Sequence, residues 1–212
     1  THVNDVDRVG EDRFLLSPRN LDQVVLVDRR SDEIVWRLGR DDDHSILQKQ
    51  HNPDYLAGPD GESTVLVADS ENDRVVEYAR ETASGDGDDD GDWNRTWHLA
   101  GNFQWPRDAD RLPNGNTLVT DSRNHRVLEV APNGTVVWEV YTPWLPYDAE
   151  RVQTGDGSYG PTALEQGSPA EAELTGDDGG HEDDERLASC AAAFRKAPGP
   201  GETEWTPGPV TA

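Results

Sequence analysis

The chain has 212 residues, of which 43 are acidic and 19 are basic, so its formal net charge at pH 7 is −24. A surface of this charge repels polyanions, which argues against nucleic acid or an anionic membrane as a partner. The single cysteine, Cys190, excludes an internal disulfide and a zinc site built from cysteines. Apolar runs such as those at 24–27 and 191–194 fall far short of the ~18 residues of a membrane span.

The charged residues are biased in type as well as in sign. Seventeen of the basic residues are Arg and only two are Lys, and Asp outnumbers Glu by 27 to 16. At molar salt, the repulsion between such carboxylates is screened within about 3 Å. The composition therefore predicts a halophilic protein from a salt-saturated cytoplasm or brine, the alternative being an ordinary acidic protein with a disordered tail.

Internal repeats indicate the fold, because three segments superpose as short β-rich runs separated by turn residues. The core valines, Val24, Val75 and Val127, recur 51 and 52 residues apart. An acidic residue near the start of each repeat recurs at intervals of 49, 54 and 40 residues, at Asp5, Asp54, Asp108 and Asp148. Four short strands in each ~45–50 residues are typical of a propeller blade.

We therefore predict an all-β fold, a partial β-propeller of about three to four four-stranded blades. An all-β sandwich is the alternative, but it does not explain why the string DS-x-N-x-R-V returns at 69–75 and 121–127. The predicted propeller segment covers 1–152, with blades at about 1–50, 51–104 and 105–146 and another starting at 147. The missing blades are expected upstream, because an open arc would leave strand edges unpaired.

Two acidic segments lie outside the repeats. Residues 153–212 are rich in Gly, Pro and acids and poor in large apolar residues, so we predict a disordered, low-complexity tail. Residues 81–92 imitate the start of a calcium loop, but Trp97 stands where a bidentate Glu is needed, which favours a solvated loop.

Two histidines lie in the same predicted slot of adjacent blades. His2 and His51 each come three residues before the recurrent Asp, where the later repeats have Trp105 and Leu145. Equivalent loop positions of a propeller converge on the mouth of the central channel, so two imidazoles could face each other across a cleft. Two turn histidines with only a structural role are the alternative.

Arg19 strengthens the functional interpretation. It ends a strand in SPRN, where the second blade has Glu71 and the third has Arg123. A guanidinium near two imidazoles makes a site for an oxyanion, which is unusual on so acidic a surface. His2, Arg19 and His51 are therefore the candidate functional residues.

At these residues the chain resembles a known family. The stretch from His2 to Gly39, with its His-x-Asn start, its Ser-x-Arg strand end and EIVWRLG at 33–39, is similar to the aryl-sulfate sulfotransferases. QKQHNPDYL at 48–56 and VLVADSENDR at 65–74 resemble the same family. The resemblance covers about residues 1–150 and points to the haloarchaeal type.

The resemblance implies a six-bladed propeller enzyme that moves a sulfuryl group from a phenolic sulfate to a phenol. His51 would be the nucleophile that is transiently sulfurylated, while His2 and Arg19 would hold the sulfuryl oxygens. The nearby Asn4, Asn20 and Asn52 are expected to bind substrate, and neither a metal nor a cofactor is required. A non-catalytic propeller that binds a ligand or a protein is the alternative.

The family's bacterial members also suggest an extracytoplasmic or cell-surface location, although no signal peptide is visible. The Asn-x-Thr triplets that start at Asn94 and Asn133 are compatible with export.

Overall fold

The computed structural model describes residues 2–58, 63–81, 93–155 and 157–176 of the chain. It contains three sheets, each with four antiparallel strands that follow one another in chain order, and the second sheet gains a fifth strand from a later segment. The first sheet comprises β1 (Val3–Arg8), β2 (Arg13–Pro18), β3 (Gln23–Asp28) and β4 (Glu33–Gly39). The second comprises β5 (His51–Ala57), β6 (Ser63–Asp69), β7 (Arg74–Arg80) and β8 (Trp93–Ala100). The third comprises β9 (Pro106–Arg111), β10 (Thr117–Asp121), β11 (Arg126–Val130) and β12 (Val136–Tyr141).

The middle sheet is apolar on both faces. Alternate side chains of a strand point to opposite faces, so in β6 Leu66 packs toward the third sheet while Val65 and Val67 pack toward the first. Two apolar layers result, one on each side of the second sheet. Trp36 of the first sheet meets Trp93 of the second edge to face, with ring centroids 4.9 Å apart.

This arrangement is that of propeller blades rather than of a two-layer sandwich. A sandwich buries one face of each sheet, whereas the second sheet here is buried between two neighbours. The predicted all-β propeller class is therefore confirmed. The last strands of the three blades end at Gly39, Ala100 and Tyr141.

The repeated string DS-x-N-x-R joins one blade to the next. The buried Asp69 carboxylate accepts hydrogen bonds from Asn72, from Arg74 and from the backbone N–H of Gln48. Ser70 donates to the carbonyl of Pro106, the first residue of β9. The third blade repeats this pattern. Asp121 accepts the equivalent hydrogen bonds, and Ser122 donates to the Pro146 carbonyl.

A second contact between blades follows the same turn, where one residue per blade adopts the left-handed conformation. Asp22, Asp73 and His125 have φ values of 52°, 50° and 56°. The side chain of each accepts a hydrogen bond from a backbone N–H that lies just before the first, or inner, strand of the next blade or the segment that follows. The donors are Lys49 for Asp22 (2.8 Å), Trp105 for Asp73 (2.7 Å) and Leu145 for His125 (3.3 Å). Short polar side chains tolerate this conformation best, so one residue both makes the turn and fixes the next blade.

The substitution Asp73→Ala is expected to lower the free energy of unfolding by about 1–2 kcal/mol. It removes the acceptor of the Trp105 N–H and leaves an alanine in the strained left-handed conformation. Asp73→Asn keeps an acceptor oxygen and should lose less than half as much. Urea denaturation of both variants tests this, and equal losses would contradict it.

Strand pairing and core contacts continue past the propeller boundary predicted at residue 152. Glu171–Glu173 form a short strand, β13, that pairs in parallel with β8, and Ala163 is buried in the core between the second and third blades. The composition of this segment did not reveal these contacts, because most of them are made by its backbone. The Leu174 N–H, for example, donates to the carbonyl of Ala100. Residues 177–212, the rest of the predicted tail, lie outside the described residues.

The predicted start of a fourth blade at 147 forms no strand within the described ranges, where 142–155 contain only an isolated bridge between Arg151 and Gly155. A strand forms only with a partner to pair with, and the Ala149 N–H bonds instead to the Asp108 side chain. The possible calcium loop falls almost entirely outside the described residues. Within those residues, no helix is long and apolar enough to cross a membrane.

Candidate functional site

The strand register corrects the predicted alignment of the repeats. Asp7, Asp54 and Asp110 lie opposite Leu15, Leu66 and Leu118, which are equivalent positions of the second strands. Asp54 thus corresponds to Asp7 and Asp110 rather than to Asp5 and Asp108. The inner strands β1, β5 and β9 each carry a bulge just before this point. A shift of two residues keeps every side chain on its face, so the polar pattern alone could not exclude the wrong alignment.

The corrected register separates His2 from His51. His51 shares its slot with Asn4 and Arg107 and, by continuation of the sequence pattern, with Tyr147. His2 shares its slot with Lys49, Trp105 and Leu145. Those three residues have positive φ values of 49°, 56° and 27° respectively. The prediction that the two histidines are equivalent is therefore wrong.

The position of Arg19 also changes. Arg19 opens the 3₁₀ turn Arg19–Leu21, just as Ser70 opens the turn Ser70–Asn72 in the second blade. It therefore corresponds to Ser70 and Ser122, while Glu71 and Arg123 correspond to Asn20. The first blade lacks the DS-x-N-x-R string, so a cation stands where the other blades have a bridging serine.

His51 is buried, with 3% of its surface exposed, and is held by a defined hydrogen bond. Its Nδ1 lies 2.8 Å from Ser70 Oγ, whose single proton is donated to the Pro106 carbonyl 2.6 Å away. The hydroxyl must therefore accept the proton of Nδ1, because it has no second proton to donate. The neutral imidazole then carries its lone pair on Nε2.

The surroundings of His51 keep it neutral. Burial is the largest cause that lowers its pKa, from 6.5 to about 3, followed by the positive charges of Arg107 and Arg19 and, last, by His2. The backbone carbonyl of Lys49 acts in the opposite direction. The structure thus brings the three sequence-predicted residues, His2, Arg19 and His51, into one electrostatic environment.

Aromatic rings and arginines form one wall of this environment. The rings of Trp105 and Tyr147 meet His51 edge to face, with centroid distances of 5.8 and 6.0 Å. The guanidinium of Arg107 lies 3.8 Å from the centroid of Trp105 and 4.6 Å from that of Tyr147. Arg123 also stacks on Trp105, at 4.4 Å. Stacked guanidinium groups keep their edge N–H groups available for hydrogen bonds.

The predicted substrate-binding asparagines lie in different places. The side-chain amide of Asn4 donates to the Gln50 carbonyl, and the backbone carbonyl of Asn4 accepts from the Tyr147 hydroxyl. Asn4 therefore lies beside the aromatic wall. Asn20 is exposed and accepts a hydrogen bond from Arg19 at 3.2 Å. Asn52, in the bulge of β5, donates to the Asp108 carboxylate. Asn4 and Asn52 each have a buried side-chain oxygen without a hydrogen bond.

Behind Asn52 lies a buried carboxyl group. Burial is the main cause that raises the pKa of Asp108 well above its usual value, and the negative charges of Asp148 and Asp54 raise it further. The hydrogen bonds from Asn52 and the Ala149 N–H oppose this rise. Asp108 therefore holds a proton more readily than an ordinary aspartate.

One group of side chains in the described ranges has the spacing of a metal site. The ligand atoms of Asp22, Asp42 and His44 lie within 4.8 Å of one another. However, Asp22 already accepts the Lys49 N–H, and its second carboxylate oxygen lies 3.3 Å from His44 Nε2. Its role in joining the first two blades accounts for this arrangement.

Sequence reasoning missed four residues around His51, namely Ser70, Trp105, Arg107 and Tyr147. A signal for Arg107 was present, because RDADR at 107–111 matches NDVDR at 4–8 residue by residue and so places Arg107 in the slot of Asn4. The role of Ser70 was hidden, since the same serine in the third blade has no histidine partner among the described residues.

The fold and the site define a class of protein, a β-propeller with a buried, neutral histidine beside arginines at the ends of its inner strands. The family model described as arylsulfotransferase (ASST) matches residues 1–142. The chain therefore belongs to the arylsulfotransferase family. No curated protein matches it.

The chain is similar to several solved structures, all of low sequence identity. A protein of unknown function from Bacteroides caccae is 16% identical with a TM-score of 0.48, covering 73% of this chain and 51% of its own. An inactive H270A virginiamycin B lyase from Staphylococcus aureus is 12% identical with a TM-score of 0.41, covering 66% and 41%. The WD40 propeller domain of Doa1 is 15% identical with a TM-score of 0.42, covering 68% and 42%. The chain thus spans about half the length, or less, of these structures.

Proposed function

We propose that the protein transfers a sulfuryl group from a phenolic sulfate ester to a phenol through a sulfo-histidine at His51. The observation that supports this most is the state of His51, which is neutral, buried and oriented by Ser70 so that Nε2 holds the lone pair. A nucleophile needs a free lone pair. An ordinary histidine is partly protonated near neutral pH, and its protonated form has no free lone pair.

The proposed reaction has two displacements at sulfur. His51 Nε2 attacks the sulfur atom, the bond from sulfur to the phenolic oxygen breaks, and the phenolate leaves with the bonding pair. The oxygen of the acceptor phenol then attacks sulfur, its proton passes to solvent water, and the nitrogen–sulfur bond breaks so that His51 keeps the bonding pair. The cationic groups of the site, Arg19 and Arg107, stabilise the negative charge on the oxygens in both steps, and His2 supplies a further polar contact.

The experiment that tests this proposal combines turnover with trapping. The protein is incubated with a chromogenic aryl sulfate in molar KCl, with and without a phenol acceptor, and the peptide that carries His51 is analysed by mass spectrometry. We expect acceptor-dependent release of chromophore and, without acceptor, the added mass of one SO₃ group on His51. A folded protein that binds aryl sulfate but shows neither result would instead be a non-catalytic binding module.

Two further expectations remain part of the proposal. The molar salt of this assay reflects the proposed halophilic origin, for which the support is the Arg- and Asp-rich composition with only two lysines. The extracytoplasmic or cell-surface location is proposed from the family alone. Activity that rises with KCl would support the first, and cell fractionation would test the second.

The turnover rate is expected to show no loss from protonation of His51 between about pH 8 and pH 5. A histidine with a pKa of 6.5 would lose most of its neutral form over that range, whereas one with a pKa of about 3 stays neutral. Nitrogen NMR of His51, labelled and assigned with the His51→Gln variant, measures the protonation state directly. A titration near pH 6.5 would contradict the prediction.

The same shift has a consequence for stability in acid. Below pH 6.5 the unfolded chain binds a proton at His51, while the folded chain does not until about pH 3, so this residue's contribution to stability falls as the pH falls through that window. His51→Gln should therefore lose less stability than the wild type between those pH values, which urea denaturation at several pH values measures.

A further inference from the structure

We propose that Arg107, held between Trp105 and Tyr147, is the residue that binds the sulfuryl oxyanion of the substrate beside His51. This inference deepens the proposed function and rests on it. It moves the main anion contact away from Arg19, to which the sequence had assigned it, and to the neighbouring blade.

The first argument is the position of Arg107. It occupies the same slot of the third blade that His51 occupies in the second. Equivalent residues of adjacent inner strands lie side by side around the channel, and β5 and β9 are in contact. A group attached to His51 therefore lies next to the Arg107 side chain rather than across the site from it.

The second argument is the way the guanidinium is held. Trp105 and Tyr147 contact it at centroid distances of 3.8 and 4.6 Å, so its plane is fixed without using the edge N–H groups. A planar fork with a fixed orientation binds the oxygens of a tetrahedral anion at two points. Prior ordering of the side chain reduces the entropy that binding must cost.

The third argument is charge balance. Among the described residues, Arg107 forms no ion pair with a carboxylate, whereas Arg19 lies 3.6 Å from Glu71 and the buried Arg111 lies 3.0 Å from Glu77. Its Nε is buried without a hydrogen bond. In a chain of net charge −24, a partly buried arginine without a carboxylate partner is unusual. A bound oxyanion supplies the missing negative charge.

The electrostatics agree with this assignment. Burial lowers the pKa of Arg107, and the positive charges of Arg19 and Arg123 lower it further, while only Tyr147 acts in the opposite direction. The three arginines therefore repel one another in the free protein. An anion bound among them relieves this repulsion, which favours binding over the empty state.

The test compares four variants for binding of inorganic sulfate and of an aryl sulfate at constant ionic strength. Arg107→Gln is expected to weaken both affinities by about 10- to 100-fold, because it removes charge-assisted hydrogen bonds. Arg107→Lys keeps the charge but not the fork and should lose less. Arg19→Gln should lose less than Arg107→Gln. The control, Arg95→Gln, removes an equal charge on the outer strand β8, where Arg95 pairs with Glu171, and should change affinity by less than about twofold.

A separate readout excludes a merely structural effect. Loss of the Arg107 charge should raise the pKa of His51, which nitrogen NMR follows, whereas Arg95→Gln should leave it unchanged. If Arg107→Gln does not fold, as judged by circular dichroism, Arg107→Lys decides the matter, since loss of the fork alone should still weaken aryl sulfate binding.

The outcomes separate this inference from the proposed function. Sulfate affinity that falls with Arg19→Gln and not with Arg107→Gln would overturn the inference, even if sulfo-His51 forms. Anion binding that depends on Arg107 in a protein that transfers no sulfuryl group would support the site and overturn the proposed function. A wild-type protein that binds neither sulfate nor aryl sulfate would overturn both.

Discussion

Replacement of His51 by alanine is expected to lower the rate of sulfuryl transfer by about 10³-fold or more, because the proposed covalent route through a sulfo-histidine would be lost. The side chain is buried beside Trp105 and Tyr147 and forms the hydrogen bond with Ser70. No other histidine shares its slot, since the equivalent positions hold Asn4, Arg107 and Tyr147.

The His51→Ala variant must be shown to fold, since it leaves a cavity and an unpaired hydroxyl at Ser70. His51→Gln fills more of that space and retains a polar group that Ser70 can bind, so it serves as the matched variant. Both should lose transfer while circular dichroism and urea denaturation show a folded protein. Transfer that persists in either folded variant would exclude His51 as the nucleophile.

Ser70→Ala separates chemistry from orientation. It removes the acceptor of the Nδ1 proton and the bond to the Pro106 carbonyl, and it should lower the rate by about 10-fold, far less than loss of His51. Ser122→Ala removes the equivalent bond to Pro146 in the third blade and serves as its control. Equal effects of the two serine substitutions on rate would indicate a structural role only.

The largest effect on stability is expected from Glu77→Ala, which should lower the free energy of unfolding by about 3–5 kcal/mol. Glu77 is 0% exposed and pairs with Arg111, which is 1% exposed, at 3.0 Å. Glu77 also accepts hydrogen bonds from Thr96 and from the Ala163 N–H. Its removal leaves a buried cation and a buried N–H without their partner.

A double substitution tests the cause of that loss. When Glu77→Leu and Arg111→Met are combined, no unpaired charge remains, so the double variant should be more stable than Glu77→Ala. Glu33→Ala, on the exposed part of β4, is the control and should change stability by less than about 0.5 kcal/mol. Urea denaturation measures all three, and a loss below about 1 kcal/mol for Glu77→Ala would contradict the prediction.

The site itself was only partly predictable. His51 stood out because histidines are few, and Arg19 because it ends a strand beside the two predicted histidine positions. The sequence did not separate His2 from His51, because the motifs around Asp5 and Asp54 have the same spacing. Only the pairing of each inner strand with the second strand of its blade decides which Asp is equivalent, and that register depends on hydrogen bonds between strands.

The segment 157–176 shows a similar limit. Its Gly- and acid-rich composition lacks the large apolar residues that would reveal burial, yet Gly160 lies so close to the Leu112 carbonyl that a side chain would collide with it. Backbone hydrogen bonds attach this segment, from Tyr159 and Gly160 to the Arg111 carbonyl. Such bonds are available to any residue type, so composition does not indicate them.

The sequence by itself determined the repeat. Each blade needs short apolar strands and turn residues between them, so both recur along the chain. The string DS-x-N-x-R recurs for an equally local reason, since its Asp bonds to Asn and Arg within five residues. Only the tertiary structure decided that His51, Arg107 and Tyr147 meet, with Trp105 against them. These residues are far apart in the chain, and the packing of adjacent blades brings them together.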